Sequence, residues 1–114
     1  MSIEDDRWRD EIEFWLSPST FCKIRVAKDA VMVLPQARGI VQGADVQAVW
    51  ADAERWDQVS FSDEIVLEHG DCFVLAYEAR AEAKDRVFRA LCGSTYCRSG
   101  ERWQMIAHHR SALG

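Results

Sequence analysis

With 114 residues and an apolar fraction of 48%, the chain has the usual size of one domain, 1-114, and enough apolar side chains for one hydrophobic core. Fourteen basic against nineteen acidic residues leave a net charge of −5, the wrong sign for a surface that tracks phosphates, so nucleic acid is not expected as a partner. No apolar run approaches the roughly 20 residues that span a bilayer, and the acidic start Met1-Ser2-Ile3-Glu4-Asp5-Asp6 is unlike a secretory signal; the expected location is cytoplasmic, away from membranes.

Ser2-Ile3-Glu4-Asp5 has the form of a capping box, with acids beside the positive end of the helix dipole, and predicts a helix start. Trp8, Ile12, Trp15 and Leu16 follow at i, i+4, i+7 and i+8, which makes them the inward stripe. Asp5 with Arg9, Arg7 with Glu11 and Arg9 with Glu13 then form opposite-charge pairs four apart on the outer faces. Ser17-Pro18 ends this lid helix and restarts a shorter one, with Ser17 as cap and proline at a tolerated first position, running to about Ile24 or Val26.

After Asp29, the run Ala30-Val31-Met32-Val33-Leu34 closed by Pro35 predicts a buried strand, and Gly39-Ile40-Val41 can pair back on it. Between Gly43 and Arg55, Val46, Val49, Trp50 and Ala53 recur at helical spacing. From Trp56 the period changes to two. Val59, Phe61, Ile65 and Leu67 alternate with polar residues, His69-Gly70-Asp71 turns the chain, and Phe73, Leu75 and Tyr77 lead a second strand to about Ala83. Lys84-Asp85 and Ser99-Gly100-Glu101 join two further strands, 86–97 and 102–110. Helices followed by four long strands with short turns describe an α+β domain with a meandering antiparallel sheet.

Cys22, Cys72, Cys92 and Cys97 contain no C-x-x-C half-site and are expected as free, buried thiols. On one regular strand Cys92 and Cys97 would face opposite sides, as would His108 and His109, so neither pair predicts a metal site. No Gly-rich phosphate loop, nucleophile elbow or H-E-x-x-H motif occurs, and no cofactor is expected.

The element order, together with the closing stretch Gly100-Glu101-Arg102-Trp103-Gln104-Met105-Ile106-Ala107-His108-His109-Arg110-Ser111 and the segment Arg89-Ala90-Leu91-Cys92-Gly93-Ser94-Thr95-Tyr96, resembles the nuclear transport factor 2-like superfamily, including its SnoaL-like and uncharacterised bacterial branches. The last strand is especially similar to that of the calcium/calmodulin-dependent kinase association domain. The resemblance implies a cone-shaped sheet whose mouth is covered by the helices, a cavity for a small molecule, and homodimers formed through the sheet. Of the arginines that line the association-domain cavity, Arg110 matches one, while Ala79 and Ser94 stand where two others would be. Fold and function are separable here, because no catalytic motif defines the superfamily.

Alignment on Arg110 puts Gln104, Ile106 and His108 on its side of the last strand, and Trp103, Met105, Ala107 and His109 on the other. His108 and Arg110 are therefore ligand-pocket candidates, joined by Tyr77, Ser94 and Tyr96 from the preceding strands. Trp8, Trp15 and Trp50 are expected in the core. The leading expectation is a small-molecule-binding domain. An alternative is a cofactor-free isomerase, cyclase or hydratase, with His108 or Asp63 as base and Tyr77 as hydrogen-bond donor. Asp63 is the one acid on the apolar parity of its strand, and a bulge there would turn it out to water. A third reading is an assembly module that pairs through an exposed sheet face bearing Trp103 and Met105, with Glu78 and Arg80 making polar contacts across it.

Overall fold

The structure is a computed structural model and describes residues 3–35 and 39–113. Among these residues three helices and six strands follow in the order α1 (Ile3–Leu16), α2 (Pro18–Arg25), β1 (Val26–Leu34), β2 (Gly39–Gln42), α3 (Ala44–Ala51), β3 (Gln58–His69), β4 (Cys72–Ala83), β5 (Arg86–Ser99) and β6 (Arg102–Ala112). The expected elements and turns are all present. β1 begins at Val26, upstream of the apolar run that announced it. Ser2 of the expected capping box lies outside the described residues.

The strands form one sheet in the order β2-β1-β6-β5-β4-β3. β3 to β6 are the expected antiparallel meander. The N-terminal hairpin joins it differently: β1 runs parallel to β6, with Met32 opposite His108. The sheet is therefore mixed, a correction to the all-antiparallel expectation. Such a pairing needs a long crossover, here everything between β1 and β6, and no local pattern announces it.

α1 lies over the inward face of the sheet, turned one residue from the expected stripe. Glu11, Phe14, Trp15 and Pro18 are buried with Arg7, while Trp8, Ile12 and Leu16 are only partly so. The spacing i, i+4, i+7, i+8, i+11 is as helical as the one expected, but two of its positions are charged. Arg7 and Glu11 are thus not an outer-face pair. Arg7 reaches Glu68 on β3 at 2.8 Å and lays its guanidinium 3.9 Å from the centre of the Phe73 ring. Ser17 stands at the N-cap of α2, yet its side chain makes no capping bond; its carbonyl accepts from the Phe21 N–H at 2.9 Å.

Two β-bulges set which side chains face inward. In β3 the register slips between Ser62 and Ile65, and Asp63 adopts a positive φ of 54° and points to solvent. In β6, Tyr96 pairs with Met105 and Thr95 with Ala107, so that Ile106 is the extra residue. Below this bulge the parity expected from Arg110 is reversed. Met105 is fully buried, Trp103 packs against the core at 5.0 Å from Phe73, and Ile106 is 37% exposed. Trp103 and Met105 therefore do not lie on an exposed face.

The cysteines divide in two. Cys22 and Cys92 are free and buried. Cys72 and Cys97 pair directly across β4 and β5 and form a disulfide, which corrects the expectation of four free thiols. Their separation of 25 residues becomes adjacency only through the hairpin register. Such bonds persist mainly in oxidising surroundings, which runs against the cytoplasmic expectation. No described helix is long and apolar enough to cross a membrane.

Candidate functional site

The inward faces of β4, β5 and β6 bring five of the sequence-nominated residues together, Tyr77, Ser94, Tyr96, His108 and Arg110. In register, Tyr77 stands beside Cys92, Cys92 beside Arg110 and Ser94 beside His108. All of them turn toward α1, which supplies the residue that joins them. Glu11 is 0% exposed, and its carboxylate accepts hydrogen bonds from three hydroxyls. Tyr77 Oη donates to Oε2 at 2.5 Å, Tyr96 Oη donates to Oε1 at 2.6 Å, and Ser94 Oγ donates to Oε2. Trp15 Nε1 in turn donates to Tyr77 Oη at 3.0 Å.

The chain of bonds continues to a cation. Ser94 Oγ lies 2.7 Å from His108 Nδ1, and Arg110 Nε donates to His108 Nε2 at 3.2 Å. Guanidinium can only donate, so Nε2 must accept and the proton of the neutral ring sits on Nδ1, facing Ser94. The serine, receiving that proton's bond, directs its own hydroxyl to Glu11. All the bonds of the relay Arg110, His108, Ser94, Glu11 therefore run in one direction, from the positive end to the negative.

Burial and neighbouring charges set the protonation states. Burial raises the Glu11 pKa above its ordinary 4.5, against the opposing effects of Ser94, Tyr77, Tyr96 and the Arg110 charge. Burial, then the Arg110 and His109 charges, hold His108 well below 6.5, so its 3.9 Å approach to Glu11 is not an ion pair at neutral pH. Tyr77 and Tyr96 are pushed well up by burial and by Glu11 and remain donors. Burial lifts the Cys92 thiol to about 12, which leaves it unreactive as a nucleophile.

Arg110 is the one member of the relay that reaches open space. Its guanidinium carbon lies 3.4 Å from the Trp15 ring centre and 4.9 Å from that of Trp50, and its Nη2 is buried without a hydrogen-bond partner among the described residues. It lines a cleft of about 860 Å³ between α3 and the start of β5, walled by Leu34, Val49, Trp50, Trp56 and Phe88. Trp56 stacks on Phe88 at 5.8 Å with an interplanar angle of 16°. At the rim Arg86 is held over Trp56 by its ion pair with Glu54.

Tyr77, Ser94, Tyr96 and His108 converge as a group but line no part of this cleft; His108 touches its floor through the bond from Arg110. Asp63 is remote from it, on the outward side of the β3 bulge. Ser94, standing where the resemblance places an arginine, serves the relay instead, and Ala79 is fully buried beside Ala90. His108 points inward while His109 is exposed and bonds Ser111. Among the described residues no group of three or more His, Cys, Asp or Glu side chains is placed to hold a metal ion.

Sequence reasoning missed Glu11, because one of six acids on a helix that also carries Arg7 and Arg9 reads as a surface charge. The usable signal was its position three and four residues before Phe14 and Trp15, together with the three hydroxyls nominated on one side of the sheet without a partner.

No family model and no curated protein matches the chain. Its architecture does recur among solved structures. A ketosteroid isomerase-like protein of Parabacteroides distasonis superposes with a TM-score of 0.86 at 17% identity, over 98% of this chain and 89% of that one. An NTF2-like protein of Cytophaga hutchinsonii gives 0.74 at 16% identity, over 99% and 100%. The association domain of CaMKII from C. elegans gives 0.75 at 18% identity, over 96% and 92%. The chain has the nuclear transport factor 2-like fold, α+β with helices packed over a curved sheet.

Proposed function

We propose that this chain is a small-molecule-binding domain whose ligand carries a carboxylate or comparable anion on a flat apolar body. Arg110 carries the reading. A guanidinium at the floor of an aromatic cleft, with a buried nitrogen that lacks an acceptor, is a group whose desolvation an anion would offset. Trp50, Trp56 and Phe88 offer ring faces to the apolar part of such a ligand. Turnover with His108 or Asp63 as base finds no support in this arrangement, since neither lines the cleft.

The test compares 2-naphthoate with its neutral analogue 2-naphthamide by calorimetric titration of the wild type and Arg110→Met. The carboxylate should bind at least about tenfold more tightly, the scale of one charge-assisted hydrogen bond, and Arg110→Met should erase the difference. Equal binding of the two compounds to the wild type, or no binding of either, sinks the reading.

A second reading concerns the outer face of the sheet and is compatible with the first. There Ile65, Leu67 and Leu91 are exposed around the small residues Ala76, Gly93 and Ala107, with Ile65 beside Ala76 and Ala76 beside Gly93 in register. Such a face suits a second copy of the chain, and we propose a homodimer through it. Light scattering should show a dimer, and Leu91→Glu a monomer that still binds in the cleft. A monomeric wild type at high concentration would remove this reading.

A further inference from the structure

The relay that ends at Arg110 begins at a charge of opposite sign, and its two ends face different worlds: Arg110 lines the cleft, while Glu11 is sealed from it. We propose that Glu11 is the internal counter-anion of Arg110 and sets how strongly the cleft takes an anionic ligand, each binding event drawing a proton onto Glu11. The inference rests on the cleft reading above and adds a determinant of affinity that does not touch the ligand.

The geometry carries it. Glu11 Oε2, Ser94 Oγ, His108 and Arg110 Nε form one unbroken set of hydrogen bonds, of which Glu11, Ser94 and His108 are buried. Two charges on the order of 10 Å apart at an effective dielectric constant of about 20 change a binding constant about tenfold. An anion seated on Arg110 cancels the positive field that helps keep Glu11 ionised and adds a negative one. The carboxylate, already disfavoured as an ion by burial, then takes up a proton from solvent, which relieves the repulsion. Affinity should therefore rise as pH falls through a window above the ordinary carboxylate value of 4.5.

The phenols, thiols and imidazole around Glu11 all shift away from neutral pH. Tyr77 on β4 and Tyr96 and Cys92 on β5 have pKa values raised above their ordinary ones, and His108 on β6 is held neutral. Cys22 on α2, which also senses Arg110, is pushed up to about 12. On α1, Arg7 is engaged by Glu68 of β3, and Asp10 by Arg25 of α2.

The experiment measures 2-naphthoate affinity between pH 5.5 and 8, where the probe stays anionic, for the wild type and Glu11→Gln. The wild type should bind more tightly toward low pH. Glu11→Gln, which keeps an acceptor for Ser94 without the charge, should bind about tenfold more tightly at pH 8 and lose the slope. Calorimetry of the wild type in buffers of different ionisation enthalpy reads proton uptake directly and decides the matter even if Glu11→Gln fails to fold. Naphthoate binding without proton uptake, or with the same pH slope in both proteins, overturns the role of Glu11 and leaves the cleft reading standing. Absence of any naphthoate binding overturns the cleft reading itself, and with it this inference.

Discussion

Ser94 Oγ lies 2.7 Å from His108 Nδ1, and that contact orients the relay, because it receives the ring proton and frees the serine hydroxyl for Glu11. Both partners are almost fully buried, at 1% and 2% exposure. Ser94→Ala removes an acceptor for a buried N–H and a donor for a buried carboxylate at once. Urea unfolding should show a loss of about 1–3 kcal/mol, and the His108 Nδ1 proton, read by 15N NMR, should lose its hydrogen-bonded shift. An unchanged stability would mean that the relay does not form.

Stability should respond to acid through His108. Its folded pKa lies well below 6.5, so the unfolded chain binds this proton more readily. The histidine's contribution is complete above pH 6.5 and lost as pH falls toward the folded value, by up to about 1.4 kcal/mol per pH unit. Glu11, with its folded pKa raised above 4.5, acts in the opposite sense and becomes less destabilising as it takes up its proton. Urea midpoints from pH 7 to 4.5 should therefore fall gently in the wild type, more steeply in Glu11→Gln and least in His108→Gln. The reverse order would refute these assignments.

The Cys72–Cys97 bond closes a separation of 25 residues, and loop-closure entropy of that size corresponds to about 3.5 kcal/mol. Reduction should lower the urea midpoint while leaving the far-UV spectrum unchanged, since the β4–β5 ladder runs unbroken from Cys72 to Ala83. In the native unreduced protein, alkylation should label none of the four cysteines, two being bonded and two buried. Labelling of Cys72 and Cys97 in protein taken directly from cells would show that the bond does not exist there.

Gly43 begins α3 with φ 64° and ψ −129°, a conformation open almost only to glycine, and its N–H donates to the Ala30 carbonyl at 3.0 Å. Gly43→Ala should cost about 1–2 kcal/mol through backbone strain, although a Cβ would come only within 3.6 Å of the Lys28 carbonyl. A thermal melt detects the loss. Since α3 carries Val49 and Trp50 in the cleft wall, naphthoate affinity should drop in the same variant.

Periodicity settled which element each stretch of this chain becomes. Period two from Val59 to Arg110, broken by His69-Gly70-Asp71, Lys84-Asp85 and Ser99-Gly100-Glu101, is a local property that backbone geometry turns directly into strands and turns. The inward side of β4 and β5, with Tyr77, Ser94 and Tyr96, followed from the family resemblance, which set the parity through Arg110.

Facing and pairing were another matter. Two registers one residue apart on α1 are equally helical, and only packing against the sheet selects the one that buries Glu11, since three hydroxyls wait there to satisfy it. A single bulged residue, Ile106, inverts the sides of β6 without leaving a mark in the pattern of residue types. The parallel seam of β1 with β6 and the meeting of Cys72 with Cys97 join residues far apart in the chain. The amino-acid order determined the elements and nominated Tyr77, Ser94, Tyr96, His108 and Arg110. Tertiary structure alone decided that these residues form a relay from a sealed carboxylate to a guanidinium in a cleft, because burial, hydrogen-bond satisfaction and register arise only when all the layers are assembled.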